Sequence, residues 1–148
     1  MILDNNAIVS DQQAITATAN STNTYDLLAL GKTYQGTQLR RNLAIEPEIP
    51  FLIQVNETFN NLTSLAFVFQ NDDDSAFGSA DIEVFRLVVP LSRLKKGYIL
   101  PIDELPRGMN KRYFRMRYEV TGTAPTTGKV TAAAVASTDG AYQGNNPF

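Results

Sequence analysis

One stretch of the sequence determines the fold class: Lys111-Arg112-Tyr113-Phe114-Arg115-Met116-Arg117-Tyr118-Glu119-Val120-Thr121. Every second residue from Phe114 to Val120 is apolar or aromatic, and the residues between them are Arg or Glu. A period of two is typical of a β-strand that buries one face and exposes the other. We therefore predict a strand over residues 111–121 whose aromatic side faces a core and whose charged side faces solvent.

Similar alternation recurs along the chain in short runs, separated by Gly, Pro, Asn, Asp and Thr. Such runs predict an all-β fold, since no long amphipathic helix appears among them. The other clear strands are predicted at residues 51–55, 64–70, 83–89 and 129–137, and weaker ones at residues 6–10, 23–27 and 98–100. The side chains expected to line the core are Leu65, Phe67, Phe69, Phe114, Met116 and Tyr118.

About eight short strands fit a two-sheet antiparallel sandwich, and we favour a jelly roll over an immunoglobulin-like order. The length of 148 residues suits one core. We assign residues 1–138 to a single domain with a long loop at 31–50, and residues 139–148 to a C-terminal arm. Turn residues predict a hairpin at 121–128, and residues 90–96 predict one helical turn that Gly97 ends.

The composition argues against several classes of function. The sequence contains no Cys, His or Trp, which removes thiol nucleophiles, thiolate metal ligands and imidazole bases. We therefore expect no enzymatic activity, no cofactor and no metal ion. The formal net charge of -2 gives no overall attraction for nucleic acid or anionic lipid, and no apolar run reaches the roughly 18 residues of a membrane span. We expect neither nucleic acid nor a membrane as a partner.

The acidic run Asp72-Asp73-Asp74 is the only spacing that suggests calcium. Counted from Asp72, a calcium loop would need Asp or Asn at the fifth position and Gly at the sixth, but these positions hold Ala76 and Phe77. We therefore interpret the run as a solvated loop between strands.

A basic region follows later in the chain, where eight of the 13 cationic residues lie between Arg93 and Arg117. Nucleic-acid binding is one interpretation of such a region. However, Arg115 and Arg117 share their strand face with Glu119, which favours a salt-linked outer face or a protein interface.

Several segments resemble a known family. They are residues 97–101, 105–115, 118–122 and 128–132, together with the opening residues 1–4 and 10–16. These segments resemble the jelly-roll capsid cement proteins of short-tailed bacteriophages, of the Bordetella-phage type, whereas residues 31–50 and the last dozen residues do not match them. The resemblance implies a non-enzymatic protein on the outside of an assembled head that bridges capsomers of the major capsid protein.

The resemblance also implies a location and an assembly state. The chain is expected on the capsid exterior of a virion, after synthesis in the host cytoplasm. Its expected partners are the major capsid protein and itself, with a homodimer favoured and a trimer as the alternative. We predict a dimer seam at Ala132, Ala133, Ala134 and Ala136, unless these alanines merely thin the core. The candidate partner-binding residues are Arg40, Arg41, Arg107, Arg115, Arg117, Tyr142 and Phe148.

Two other classes of function stay open at this point. One is a virion-surface or cell-surface module that holds a carbohydrate or a receptor on the same sandwich, although the lack of Trp counts against it. The other is a sandwich glycosidase, which needs two facing carboxylates about 5–10 Å apart. Asp103 with Glu104, or Glu46 with Glu48, would have to supply that pair.

Overall fold

The computed structural model describes residues 3–41, 48–80 and 82–136, with side chains from Asp4 onward. The predicted arm at 139–148 and part of the predicted 31–50 loop lie outside the described residues. Within the described part, no helix is long and apolar enough to cross a membrane. The elements are β1 (Leu3–Ala14), β2 (Ala19–Asn20), β3 (Tyr25–Asp26), β4 (Phe51–Glu57), β5 (Leu62–Asp72), β6 (Glu83–Pro90), a 3₁₀ turn (Leu91–Arg93), β7 (Tyr113–Gly122) and β8 (Lys129–Val135).

The strands form two antiparallel sheets. The smaller sheet has the order β1-β8-β4, and in the larger one β7 and β5 lie between β6 and the short strands β2 and β3. The segment 97–105 extends the smaller sheet through the bridges Gln54–Ile99 and Pro50–Glu104. Thus β1 pairs with β8, β3 with β7, β4 with this segment, and β5 with β6. These nested pairings are those of a long hairpin that has rolled up into a jelly roll. The predicted sandwich is confirmed.

The core lies between the two sheets. All six predicted core residues are buried, and β4 contributes Phe51, Ile53 and Val55 from the opposite side. The ring centre of Phe51 lies 5.4 Å from that of Phe69 and 6.0 Å from that of Phe114, both edge to face. This geometry is favourable for aromatic pairs. The face assigned to β7 by its alternation is therefore confirmed.

The connection between β7 and β8 crosses from one sheet to the other, so the predicted hairpin at 121–128 is wrong. β7 pairs with β5, β2 and β3, whereas β8 pairs with β1 and β4. Gly122 and Gly128 have φ angles of 92° and 135°, and a Cβ atom on them would collide with Thr63 and Phe59, respectively. The loop thus packs against the β4–β5 connection at the end of the sandwich.

Three other elements differ from their predictions. β1 covers 12 residues instead of residues 6–10, and its pairing with β8 is interrupted by three register shifts. The sequence did not predict β2, and residues 98–100 contribute one isolated bridge, at Ile99, rather than a strand. The predicted helical turn is the 3₁₀ turn Leu91–Arg93, after which Gly97 adopts a φ of 89°.

The central alanines of β8 are buried within the chain itself. Ala132 and Ala133 are 0% exposed, and Ala132 belongs to the core between the sheets. The predicted dimer seam is therefore wrong at these two positions, because neither side chain reaches the surface. The alternative that small residues thin the core is confirmed for Ala132.

Candidate partner-binding surface

The outer side of the larger sheet is a charged surface built on a buried centre. Val68 in β5 lies between Arg86 in β6 and Arg117 in β7. Although Val68 points away from the core, it is 0% exposed. Long arginine side chains can cover apolar surface with their methylene groups while their charged ends stay in water. We call this surface, formed by Arg86, Arg115, Arg117, Glu83 and Glu119, the arginine face.

Ion pairs connect four side chains of β6 and β7 on the arginine face. Arg86 donates from Nε and Nη2 to both carboxylate oxygens of Glu83, at 3.0 and 2.8 Å, and from Nη1 to Oε2 of Glu119 at 2.6 Å. Arg117 Nε donates to the other Glu119 oxygen at 3.0 Å. These contacts confirm the predicted salt-linked face. Hydrogen bonds from Arg86 are the main reason that the pKa values of Glu83 and Glu119 are lowered.

Arg115 differs from the other two arginines because no carboxylate pairs with it among the described residues. Its Nε donates to Oε1 of Gln70 at 2.8 Å, and its guanidinium lies 3.9 Å from the ring centre of Phe77. Burial, followed by the nearby charge of Arg117, lowers the pKa of Arg115. A guanidinium held over an aromatic ring is pre-organised for a bidentate contact with a carboxylate.

The acidic run lies at one end of this sheet, and only part of it is solvated. Asp73 and Asp74 are exposed, but Asp72 is buried. The Asp72 carboxylate accepts hydrogen bonds from the N–H and hydroxyl groups of Ser79, at 3.0 and 2.7 Å, and from the N–H of Asp73 at 2.7 Å. Desolvation alone would raise the pKa of Asp72, but these hydrogen bonds outweigh it and lower the pKa to about 2.

Asp72 therefore organises its own loop, which corrects the interpretation of the whole run as solvated. In the described part of the chain, no group of three or more acidic side chains could hold a metal ion.

The other predicted binding residues do not share the arginine face. Arg40 and Arg41 lie in the loop that follows β3, where Arg41 Nη2 donates to the backbone carbonyls of Leu27 and Leu28. Arg107 is exposed in the turn before Gly108. Tyr142 and Phe148 lie outside the described residues. Of the predicted residues that the structure describes, Arg115 and Arg117 are the two brought together on this face, and Arg86 lies beside them.

Exposed apolar side chains form a second feature, which the sequence analysis missed. Six large apolar residues are exposed in the described part of the chain, and four of them follow β3 in one loop: Leu28, Leu30, Tyr34 and Leu39. The other two, Phe85 and Val88, belong to the edge strand β6. The run Leu27-Leu28-Ala29-Leu30 carried a signal, because it is apolar without the period of two that predicts a half-buried strand.

An apolar pocket of about 230 Å³ lies at one end of the sandwich, and Tyr25, Leu105, Met109 and Phe114 are among the residues that line it. Burial raises the pKa of Tyr25 to about 12, so this phenol is uncharged at neutral pH. The lining contains no carboxylate, so this pocket does not provide the facing acids that a glycosidase needs.

Comparison with known proteins identifies one family. The model of the Bbp16 family matches residues 9–134 of the chain. The match begins within β1 and ends within β8, so it spans both sheets. No curated protein matches the chain.

Proposed function

The chain belongs to the Bbp16 family, a Bordetella phage protein family, and we propose that it is a non-enzymatic structural protein on the outside of the phage head. In this proposal it binds the major capsid protein and bridges neighbouring capsomers, so that the filled head withstands internal pressure. It is made in the host cytoplasm and acts on the capsid exterior.

The family match is the observation that carries this proposal, since it covers nearly all of the described sandwich. The geometry of the arginine face supports a protein as the ligand. Arg115 and Arg117 are two residues apart in β7, so their side chains lie on the same face of the sheet. Gln70 and Phe77 hold the guanidinium of Arg115 in place, and Glu119 holds that of Arg117. Fixed, planar donors suit carboxylates on a partner protein, because little side-chain entropy is lost on binding.

A homodimer is the proposed working unit, because a cement protein has to hold two neighbours at once. When one subunit of a dimer is bound, the second subunit stays close to its own site. Its high effective concentration lets modest contacts add up to strong retention. With Ala132 and Ala133 of β8 buried, the exposed edge of β6 is a better candidate for the seam than the centre of the smaller sheet.

The direct test compares heads assembled with and without this chain. Heads that lack it should release their DNA at a lower temperature, and addition of the purified protein should restore the higher temperature. Sedimentation of the protein alone should show a species twice the monomer mass. Equal melting of both kinds of head would overturn the function, and binding to host cells but not to heads would favour a receptor-binding module instead.

The arginine face is tested by the double substitution Arg115→Gln with Arg117→Gln. This variant should bind heads more weakly than wild type, and its binding should depend less steeply on salt. Lys129→Gln is the matched control, because Lys129 lies on the smaller sheet and pairs with Glu57 at 3.7 Å. If both variants bind as wild type does, the arginine face is not the contact.

A further inference from the structure

The loop from residue 27 to residue 41, here called the β3 loop, leaves the sandwich on a fixed stem. At its base, Asp26 accepts the N–H of Leu28 at 2.8 Å and forms a two-point ion pair with Arg112, with both contacts at 2.7 Å. The Leu27 N–H donates to the Arg112 carbonyl at 2.9 Å. On the returning side, Arg41 donates to the carbonyls of Leu27 and Leu28. Both ends of the loop are therefore held at the start of β7.

The outer half of the β3 loop is a small hairpin with its own hydrogen bonds. The N–H of Leu39 donates to Gly31 at 3.0 Å, and the N–H of Thr33 donates to Thr37 at 2.8 Å. The turn closes at Gly36, whose φ is 83° and whose N–H donates to Thr33 at 2.9 Å. The hairpin is thus ordered by local backbone bonds, without burial of its side chains in the core.

The surface of this hairpin is apolar and positively charged. Every residue from Leu28 to Arg40 is exposed, and Tyr34, at the tip, is 106% exposed. Residues 27–41 contain Lys32, Arg40 and Arg41 but no acidic residue. An ordered projection with exposed Leu and Tyr side chains gains nothing in water, because apolar area is stabilising only when it is buried.

We propose that the β3 loop is a second docking element of this protein, and that Tyr34 inserts into an apolar cleft rimmed by carboxylates on the major capsid protein. The charges select this occupant, because a loop with cations and no acids complements an acidic rim. The order of the hairpin reduces the entropy lost on docking, and a tyrosine is a favourable anchor for a buried cleft. The inference rests on the proposed function, and it adds the β3 loop to the arginine face as a second contact with the capsid.

The test measures binding of purified variants to heads that lack the chain. Tyr34→Ser should weaken binding about tenfold or more, as expected for the loss of a central anchor. Gln35→Ser is the matched control, because Gln35 is the exposed polar neighbour at the same tip, and it should bind as wild type does. The double substitution Lys32→Glu with Arg40→Glu should weaken binding most at low salt, where charge attraction is least screened.

The outcomes separate this inference from the function on which it rests. Tight binding of the wild type, with Tyr34→Ser reduced and Gln35→Ser unchanged, supports both. If Tyr34→Ser and the charge-reversal variant bind as wild type does, the docking role of the loop is overturned while the head-binding function stands. If the wild type does not bind heads, both are overturned. Thermal unfolding of each variant at the wild-type temperature shows that the sandwich is intact.

Discussion

The two faces of the larger sheet carry opposite chemistry on the same three strands. The inner face presents fully buried rings such as Phe69 and Phe114 toward the smaller sheet. The outer face presents arginines and glutamates, with Val68 covered beneath Arg86 and Arg117. The comparison indicates that stability resides on the inner face, because burial of apolar area dominates folding while exposed ion pairs contribute little. The outer face is then free to vary toward a partner.

The strongest test of this comparison removes a ring from the inner face. Phe114→Ala should lower the free energy of unfolding by about 3–5 kcal/mol, through lost transfer energy and the cavity left behind. Phe114 is 1% exposed and contacts the rings of Tyr25, Phe51 and Phe69. Chemical denaturation measures the change.

Arg117→Ala is the control on the outer face of the same strand, and it should change the unfolding free energy by about 1 kcal/mol or less. If Phe114→Ala and Arg117→Ala were equally destabilising, the assignment of stability to the inner face would be wrong.

A second test concerns a buried polar link between the two sheets. The Tyr118 hydroxyl lies 2.6 Å from Ser10 Oγ, and Ser10 lies 2.8 Å from Oε1 of Gln13. Because Gln13 Oε1 only accepts, Ser10 donates to it and Tyr118 donates to Ser10. Tyr118→Phe should therefore cost about 1–2 kcal/mol, since it removes a buried hydrogen bond while keeping the ring.

Tyr113→Phe is the matched control for this substitution, because Tyr113 is only half-buried and sits at the outer end of the same strand. Thermal unfolding should place Tyr118→Phe below wild type and Tyr113→Phe near it. A Tyr118→Phe protein as stable as wild type would show that the link between Ser10 and Tyr118 contributes nothing.

The sequence predicts the two faces well because a period of two is a local property. Phe114, Met116 and Tyr118 follow it without interruption, and their burial depends only on which face meets the other sheet. The path between strands is not a local property. Turn residues at 121–128 indicate that the chain turns, but whether β8 returns beside β7 depends on distant strands that occupy both edges of β7.

The grouping of charged side chains on the surface was not predictable from the sequence, for a related reason. A charged residue type indicates an exposed position but not its partner. Arg41 is engaged by carbonyls of its own loop, and Arg86 joins Arg117 only through pairing with β5. The exposed hairpin around Tyr34 escaped prediction because apolar residues usually indicate burial, and only the structure places this one in solvent.

A third prediction concerns acid, and it tests the loop at the end of the outer face. The pKa of Asp72 is lowered to about 2 from an ordinary 3.8. Its stabilising contribution is therefore complete above about pH 4 and is lost as the pH falls toward 2. Asp72→Asn should lower stability at neutral pH and flatten the decline in stability between pH 4 and pH 2.

Asp103→Asn is the control for the acid experiment, because it removes an exposed carboxylate elsewhere. Part of the decline should persist in Asp72→Asn, since the pKa values of Asp26, Glu83 and Glu119 are also lowered. Chemical denaturation at a series of pH values measures the slopes. If Asp72→Asn and wild type lost stability in parallel, the hydrogen bonds to the Asp72 carboxylate would not favour its charged form.

The smallest effect on stability is expected for Glu119→Gln at the centre of the arginine face. The ion pairs of Glu119 are about one-third exposed, so water screens them and the expected cost is below about 1 kcal/mol. Arg86 keeps its two-point contact with Glu83, and a neutral Gln can still accept a hydrogen bond. The affinity for heads should rise, because loss of the carboxylate leaves the positive charges of Arg86 and Arg117 less neutralised. Glu119→Gln should therefore bind heads more tightly at low salt than wild type, with a steeper loss as salt increases. If Glu119→Gln were as destabilised as Phe114→Ala, the ion pairs of the outer face would contribute to stability as much as the core does. The contrast between the two faces would then be wrong.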